Sequence, residues 1–211
     1  CPPNIARLLS SLAMYAYTEN EDTLFAHLFV GGSVKKAVNG KELSFEVATD
    51  MPWQGTTVYS CTNEHSVHGS LAIRIPEWSR SFKVSGVTGE LDENSAQLRD
   101  GYLYIAHDWR KGDTVRLELS MEPEFIAANN EVREDINKTA LRRGPFIYCI
   151  EEADNGTDLH TLSVCAAAKP ETVMMNIAGT DVAALRIDGK KLINVCDSPD
   201  VDAETKTAPL Y

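Results

Sequence analysis

Two alternating runs joined by Asn39-Gly40 constrain this chain most. Val34, Lys36 and Val38 alternate before the pair, and Leu43, Phe45 and Val47 alternate after it. Asn-Gly between such runs is the strongest short-range hairpin signal, because both central residues of the tightest hairpin turn need positive φ. A hairpin with one apolar face must bury that face against another layer. Further strand signals follow. Leu24–Val30 (LFAHLFV) reads as a short buried strand. Leu71, Ile73 and Ile75 form another, stopped by Pro76. Tyr102, Tyr104 and Ala106 follow Gly101, and Lys111-Gly112-Asp113 turns into Val115, Leu117 and Leu119. Strands with turn signals at this spacing predict a β-sandwich.

A second β region follows Pro123 and the polar stretch ANNEVREDINK. TALRRGPFIYCIEE predicts two strands, around Ala140 and Tyr148, punctuated by Gly144-Pro145. Residues 154–158 read as a polar loop. Strand candidates then lie at Leu162–Val164, Val173–Ile177, Leu185–Ile187 and Leu192–Val195. The expected fold is mainly β, with two consecutive β-sandwich units preceded by one helix. The boundaries are 1–20 for the helix, 21–124 for the first sandwich and 125–211 for the second.

The helix is read from Ile5, Leu8, Leu9, Leu12, Ala13 and Ala16, which share one face at helical spacing. Pro2 and Pro3 suit its first turn, and the run TENED is expected to end it. That apolar stripe needs a partner: it must pack on the sandwich, dimerise or fray. The opening CPPNIARLLSSLAMYAY has neither an initiator Met nor a basic segment before an apolar one, so it reads as neither an intact start nor a signal peptide. The expectation is a chain cut from a longer one.

A net charge of −11 disfavours nucleic-acid binding, since an acidic surface repels phosphates. No apolar run approaches the roughly 18 residues of a membrane-spanning helix. A neutral sugar or a protein partner stays open. Five cysteines (Cys1, Cys61, Cys149, Cys165 and Cys196) make a poor disulfide framework and fit a reducing compartment. Cys149, in FIYCIE, reads as a buried free thiol on a strand.

Candidate sites are incomplete. Trp53, Trp78 and Trp109 offer flat faces for stacking on sugars, against the simpler reading that they pack at strand ends. Cys61, His65 and His68 form a C-x3-H-x2-H cluster suited to zinc, but no fourth ligand is near and CTNEHSVHGS reads as a loop. Asp154, Asn155 and Asp158 resemble a calcium loop only loosely. Glu151 and Glu152 are adjacent, so on a strand they would face opposite ways.

Five stretches occur in order: CPPNIARLL, DMPWQG, LAIRIPEWS, DWRKGDTVRLEL and ALRRGPFIYCIEEAD. Together they resemble the β-L-arabinofuranosidase family of glycoside hydrolases over nearly the whole chain. The resemblance implies a larger enzyme. An (α/α)6 catalytic barrel precedes two sandwich units, and retaining hydrolysis uses a zinc-held cysteine nucleophile and a glutamate acid/base. Residues 3–17 would be the barrel's last helix, left over here.

The implied zinc ligands include two adjacent cysteines before Pro-Pro-Asn. One cysteine stands there in this chain. Cys1 is therefore read as a zinc ligand in the full-length parent, or alternatively as the nucleophile itself. The chain alone then carries no complete catalytic set, needs no cofactor and is inactive. Its partner is the missing barrel, or a second copy joined through the exposed helix or an open sheet edge. The family's chain continues past a Leu-Tyr like Leu210-Tyr211 into a strand returning to the first sandwich, whose loss would leave that edge open. The rival class is a carbohydrate-binding module using Trp53, Trp78 and Trp109.

Overall fold

The computed structural model describes residues 1–86 and 96–191, with the backbone of 206–210. The chain is mainly β and divides into two units, Cys1–Met121 and Glu122–Tyr211.

The first unit opens with helix α1 (Pro2–Ala16). Ten strands follow: β1 (Tyr17–Glu19), β2 (Thr23–Ala26), β3 (Gly32–Val38), β4 (Lys41–Thr49), β5 (Thr56–Cys61), β6 (Val67–Arg74), β7 (Phe82–Gly86), β8 (Ala96–Arg99), β9 (Tyr102–Trp109) and β10 (Thr114–Leu119). They form two five-stranded sheets, ordered β1-β2-β6-β9-β8 and β3-β4-β5-β10-β7. The pairing is antiparallel except between β2 and β6, since the chain leaves one sheet after β2 and builds three strands of the other before returning. The predicted hairpin closes β3 on β4, with Val38 opposite Lys41 and positive φ at Asn39 (51°) and Gly40 (71°).

Strand alternation builds the core. Leu43, Phe45 and Val47 of β4, Tyr59 and Cys61 of β5, and Val115, Leu117 and Leu119 of β10 form one inner face. Leu24, Val67, Leu71, Ile73, Leu103, Ile105 and Trp109 form the other. Register places Val47 beside Tyr59, Leu71 beside Ile105 and Val67 beside Trp109. Close approach fixes Gly55: a Cβ there would lie 2.1 Å from the Leu119 carbonyl oxygen.

The second unit contains β11 (Glu124–Ile126), β12 (Ala140–Arg143), β13 (Phe146–Tyr148), the one-turn helix α2 (Glu152–Asn155), β14 (Leu162–Val164), β15 (Glu171–Ile177), β16 (Thr180–Lys191) and β17 (Lys206–Leu210). β11, β12 and β13 make a three-stranded sheet, while β16 pairs with β14, β15 and β17. Gly144-Pro145 closes β12 on β13, with Arg143 opposite Phe146.

Several local expectations change. TENED does not end the helix, because Tyr17 already has extended backbone and begins β1. The LFAHLFV strand stops at Ala26, where the amides of His27 and Leu28 bond the Ala16 carbonyl instead of a strand. CTNEHSVHGS is not all loop: Cys61 closes β5, and Val67 already belongs to β6. Cys149 is exposed, because its strand ends at Tyr148. Glu151 and Glu152 begin α2 and lie on no strand. The α1 stripe is not covered: Ile5, Leu8, Leu9 and Leu12 are 40–65% exposed, and within the helix Ala16 alone is buried. The candidate strand at 192–195, Cys196 and Tyr211 lie outside the described residues.

Candidate functional site

The three tryptophans part company. Trp109, the last residue of β9, is 0% exposed. Its Nε1–H donates to the Gly69 carbonyl at 3.0 Å, and Phe45 meets it edge to face at 5.0 Å. A side chain this enclosed has no free face, so Trp109 is corrected from sugar-stacking candidate to core residue. Trp78 is half-buried and packs against the same core. Trp53 is half-buried in the turn after β4, its backbone N–H bonded to the Asp50 carbonyl.

Cys61, His65 and His68 are not assembled into a metal site. Cys61 points into the core, where burial foremost, and Asp113 next, push its thiol pKa up. His65 and His68 are exposed, and His68 Nδ1 lies 2.8 Å from Asp108 Oδ1. Among the described residues, no three His, Cys, Asp or Glu side chains gather closely enough to hold a metal ion. Asp154 and Asn155 sit on α2, while Asp158 caps the next turn.

Cys1 is exposed at the start of α1, where its carbonyl accepts the Asn4 and Ile5 amides. Zinc needs three or four protein ligands, and Cys1 contributes one. Among the described residues no further ligands gather beside Cys1, so these residues do not constitute the implied zinc site.

Two polar arrangements have no counterpart in the sequence reading. On the outer face of the first sheet, His27 bonds Thr18 Oγ1 through Nε2 and the Tyr102 hydroxyl through Nδ1, both at 2.7 Å. Burial, and secondarily Arg74, hold its pKa below the ordinary histidine value. Phe25 stacks beside it and meets Tyr102 and Tyr104 edge to face. The only signal was a histidine inside an apolar run.

The second arrangement is a cleft of about 650 Å³ at the Lys41 end of β4. It is lined by Lys35, Lys41, Glu42, Ser44, Asn63, Glu64 and their neighbours Thr62, His65 and Val67. A relay fixes its floor: Thr62 Oγ1 donates to Ser44 Oγ at 2.9 Å, and Ser44 donates to Asn63 Oδ1 from Oγ at 3.0 Å and from its backbone N–H at 2.7 Å. With Oδ1 taken twice, Asn63 Nδ2 is left as a buried donor without a partner among the described residues. A lone Asn between strands gave no warning of this.

In the second unit, Arg142 bridges to Glu124 of the neighbouring strand. Arg143 is buried, and the Tyr148 hydroxyl donates to the Ala183 carbonyl at 2.8 Å. RRGPFIY thus ties β12 to β11 through Arg142 and β13 to β16 through Tyr148.

Comparison with known proteins bears on both units. Residues 23–121 match the model of the beta-L-arabinofuranosidase GH127 middle domain, and residues 123–208 match that of the glycoside hydrolase family 127 C-terminal domain. A non-reducing end beta-L-arabinofuranosidase of Bifidobacterium longum subsp. longum is 34% identical, the alignment covering 100% of this chain and 31% of that protein. The crystal structure of a GH127 beta-L-arabinofuranosidase from Geobacillus stearothermophilus T6 superposes with a TM-score of 0.87 at 32% identity, covering 100% of this chain and 34% of that one. A GH127 beta-arabinofuranosidase structure gives 0.84 at 25% identity, with the same two coverages. The chain spans about a third of the length of these relatives.

Proposed function

Because the chain belongs to glycoside hydrolase family 127, of which it carries the middle and C-terminal domains, we propose that it is the non-catalytic sandwich portion of an enzyme hydrolysing β-L-arabinofuranosides. The observation that carries the reading is one of extent. The whole chain aligns with about a third of a beta-L-arabinofuranosidase, and residues 23–121 and 123–208 match the family's middle and C-terminal domains. The substrate class follows from the names of those relatives.

The described residues support a scaffolding role. Cys61 is buried and its raised pKa keeps it a thiol, a weak nucleophile at neutral pH. The His107 ring and Asp113 are spent on each other, with Nε2 and Oδ2 3.2 Å apart, while Asp113 also accepts the Arg110 amide. Retaining hydrolysis through a zinc-held cysteine we assign to parts of the longer relatives that this chain does not span, and the bare apolar stripe of α1 to a surface there. Cys1 is the thiol of this chain that would join that chemistry.

The test is turnover of an aryl β-L-arabinofuranoside by the 211-residue chain, with the Bifidobacterium relative as positive control. Turnover by the control and none by the chain is expected. Turnover that scales with chain concentration would overturn the reading, and its loss in Cys1→Ser would identify Cys1 as the nucleophile.

A further inference from the structure

We infer that the outer edge of β15 is a self-association site, where a second copy of this chain adds its own β15 antiparallel about a two-fold axis beside Met174. The inference holds whether or not the chain takes part in hydrolysis. It starts from which edges are guarded. A bare strand edge offers unpaired N–H and C=O groups to any other chain, and lysines or shortness blunt it. In the first unit, β3 carries Lys35 and Lys36, β7 carries Lys83, and β1 and β8 run only three and four residues. β15 has seven residues and, among the described residues, pairs with β16 alone. From Thr172 to Ile177 it reads TVMMNI, without charge, proline or glycine. That is the composition that pairs most readily when it is exposed on an edge.

Backbone parity selects the register. Ala178 and Gly179, at φ 50° and 85°, form the two-residue turn into β16 and set Ile177 opposite Thr180. The residues flanking such a turn bond to each other, and bonding alternates along an antiparallel pair. Ile177, Met175 and Val173 therefore spend their backbone groups on β16, while Thr172, Met174 and Asn176 aim theirs at the open edge. The Asn176 side chain is engaged inside the hairpin, donating to Asp181 at 2.7 Å and accepting from the Gly179 amide at 3.1 Å. An axis beside Met174 sets Met174 against Met174, and Thr172 of each copy against Asn176 of the other. Each of these outward-facing pairs then exchanges both N–H···O bonds. The two Glu171 residues fall at opposite ends, so no like charges stand opposed. Met174 is 55% exposed and lies opposite Ala183, on the face where β16 buries Ala183, Leu185 and Ile187. Paired copies would cover each other's Met174 and continue that face.

The experiment is sedimentation of the 211-residue chain over a concentration series, with amide hydrogen exchange at its dilute and concentrated ends. A reversible monomer–dimer equilibrium is expected, with protection of the Thr172, Met174 and Asn176 amides only at the concentrated end. Met174→Pro removes an outward N–H from each copy and leaves the bonds to β16, a substitution that edges tolerate. Met174→Lys keeps the N–H and sets two like charges opposite each other. Each should weaken dimerisation at least roughly tenfold. The two act by different means, so one decides the matter if the other fails to fold. Leu8→Ser, on the bare stripe of α1, should leave the dimer intact. A monomer throughout the series, protection of those amides at every concentration, or dissociation by Leu8→Ser alone would each overturn the inference.

Discussion

In the first unit Trp109, Tyr59, Phe45, Leu71 and Ile105 are shut away between two facing sheets. In the second, among the described residues, the buried apolar side chains are Ala183, Leu185 and Ile187, alternate positions of the single strand β16. Its neighbour β15 turns Met174 and Ile177 outward, each more than half exposed. Both units alternate residues with the same period. Alternation gives a deep core only where large side chains arrive from both layers, so the first unit is expected to be the independently stable one.

The comparison breaks most readily at its largest side chains. Trp109→Ala removes a ring with a satisfied indole N–H and should cost about 3–5 kcal/mol, whereas Leu185→Ala should cost near the low end of its range, about 2 kcal/mol. Chemical denaturation read by tryptophan fluorescence cannot follow the first variant at position 109, so amide exchange of β6 and β16 is the better probe. Equal losses would mean that the second unit holds a core as deep as the first.

A smaller effect separates two tyrosines of that core. The Tyr17 hydroxyl donates to the Val30 carbonyl at 2.5 Å, while the Tyr59 hydroxyl is buried with no partner among the described residues. Burial pushes the Tyr17 pKa up to about 12 and raises that of Tyr59 further. Tyr59→Phe should therefore raise stability by about 1 kcal/mol and Tyr17→Phe lower it by about as much. Thermal melts of the two variants check the opposite signs, and a destabilising Tyr59→Phe would reveal a partner for that hydroxyl.

The depth of each unit also governed how far the sequence could be read. Where one face is apolar and the turn is chemically marked, as at Val34–Val47 and Lys111–Leu119, strand positions and inward residues follow directly from period two. β5 escaped notice because TTVYSC mixes Thr and Ser with its apolar residues, although Thr57, Tyr59 and Cys61 all face inward. Burial of Trp109 follows the simpler reading that it packs at a strand end, where its neighbour Lys111-Gly112 marks the turn. The Asn63 cleft and the His27 network depend on residues distant in sequence (Ser44 for one, Thr18 and Tyr102 for the other), and no local pattern announces such meetings. The family motifs were legible for the opposite reason, as long ordered strings whose meaning does not depend on contacts.

The smallest effect concerns acid, and it bears on the first unit through His27. His27 is the folded state's reluctant base: burial and Arg74 lower its pKa, and Thr18 and Tyr102 occupy both ring nitrogens. The unfolded chain, with an ordinary histidine near 6.5, takes up a proton more readily. Stability is thus unaffected well above that pH and is lost as pH falls through it and below, the direction linkage requires for a depressed histidine. The second unit's histidine, His160, is exposed and lies in no comparable network. Melting curves between about pH 8 and pH 5 should show the first unit weakening toward acid, and His27→Gln should flatten that slope while lowering stability at the alkaline end. Parallel pH profiles for the two proteins would place the acid sensitivity elsewhere. The outer aromatic face would then be a passive cover.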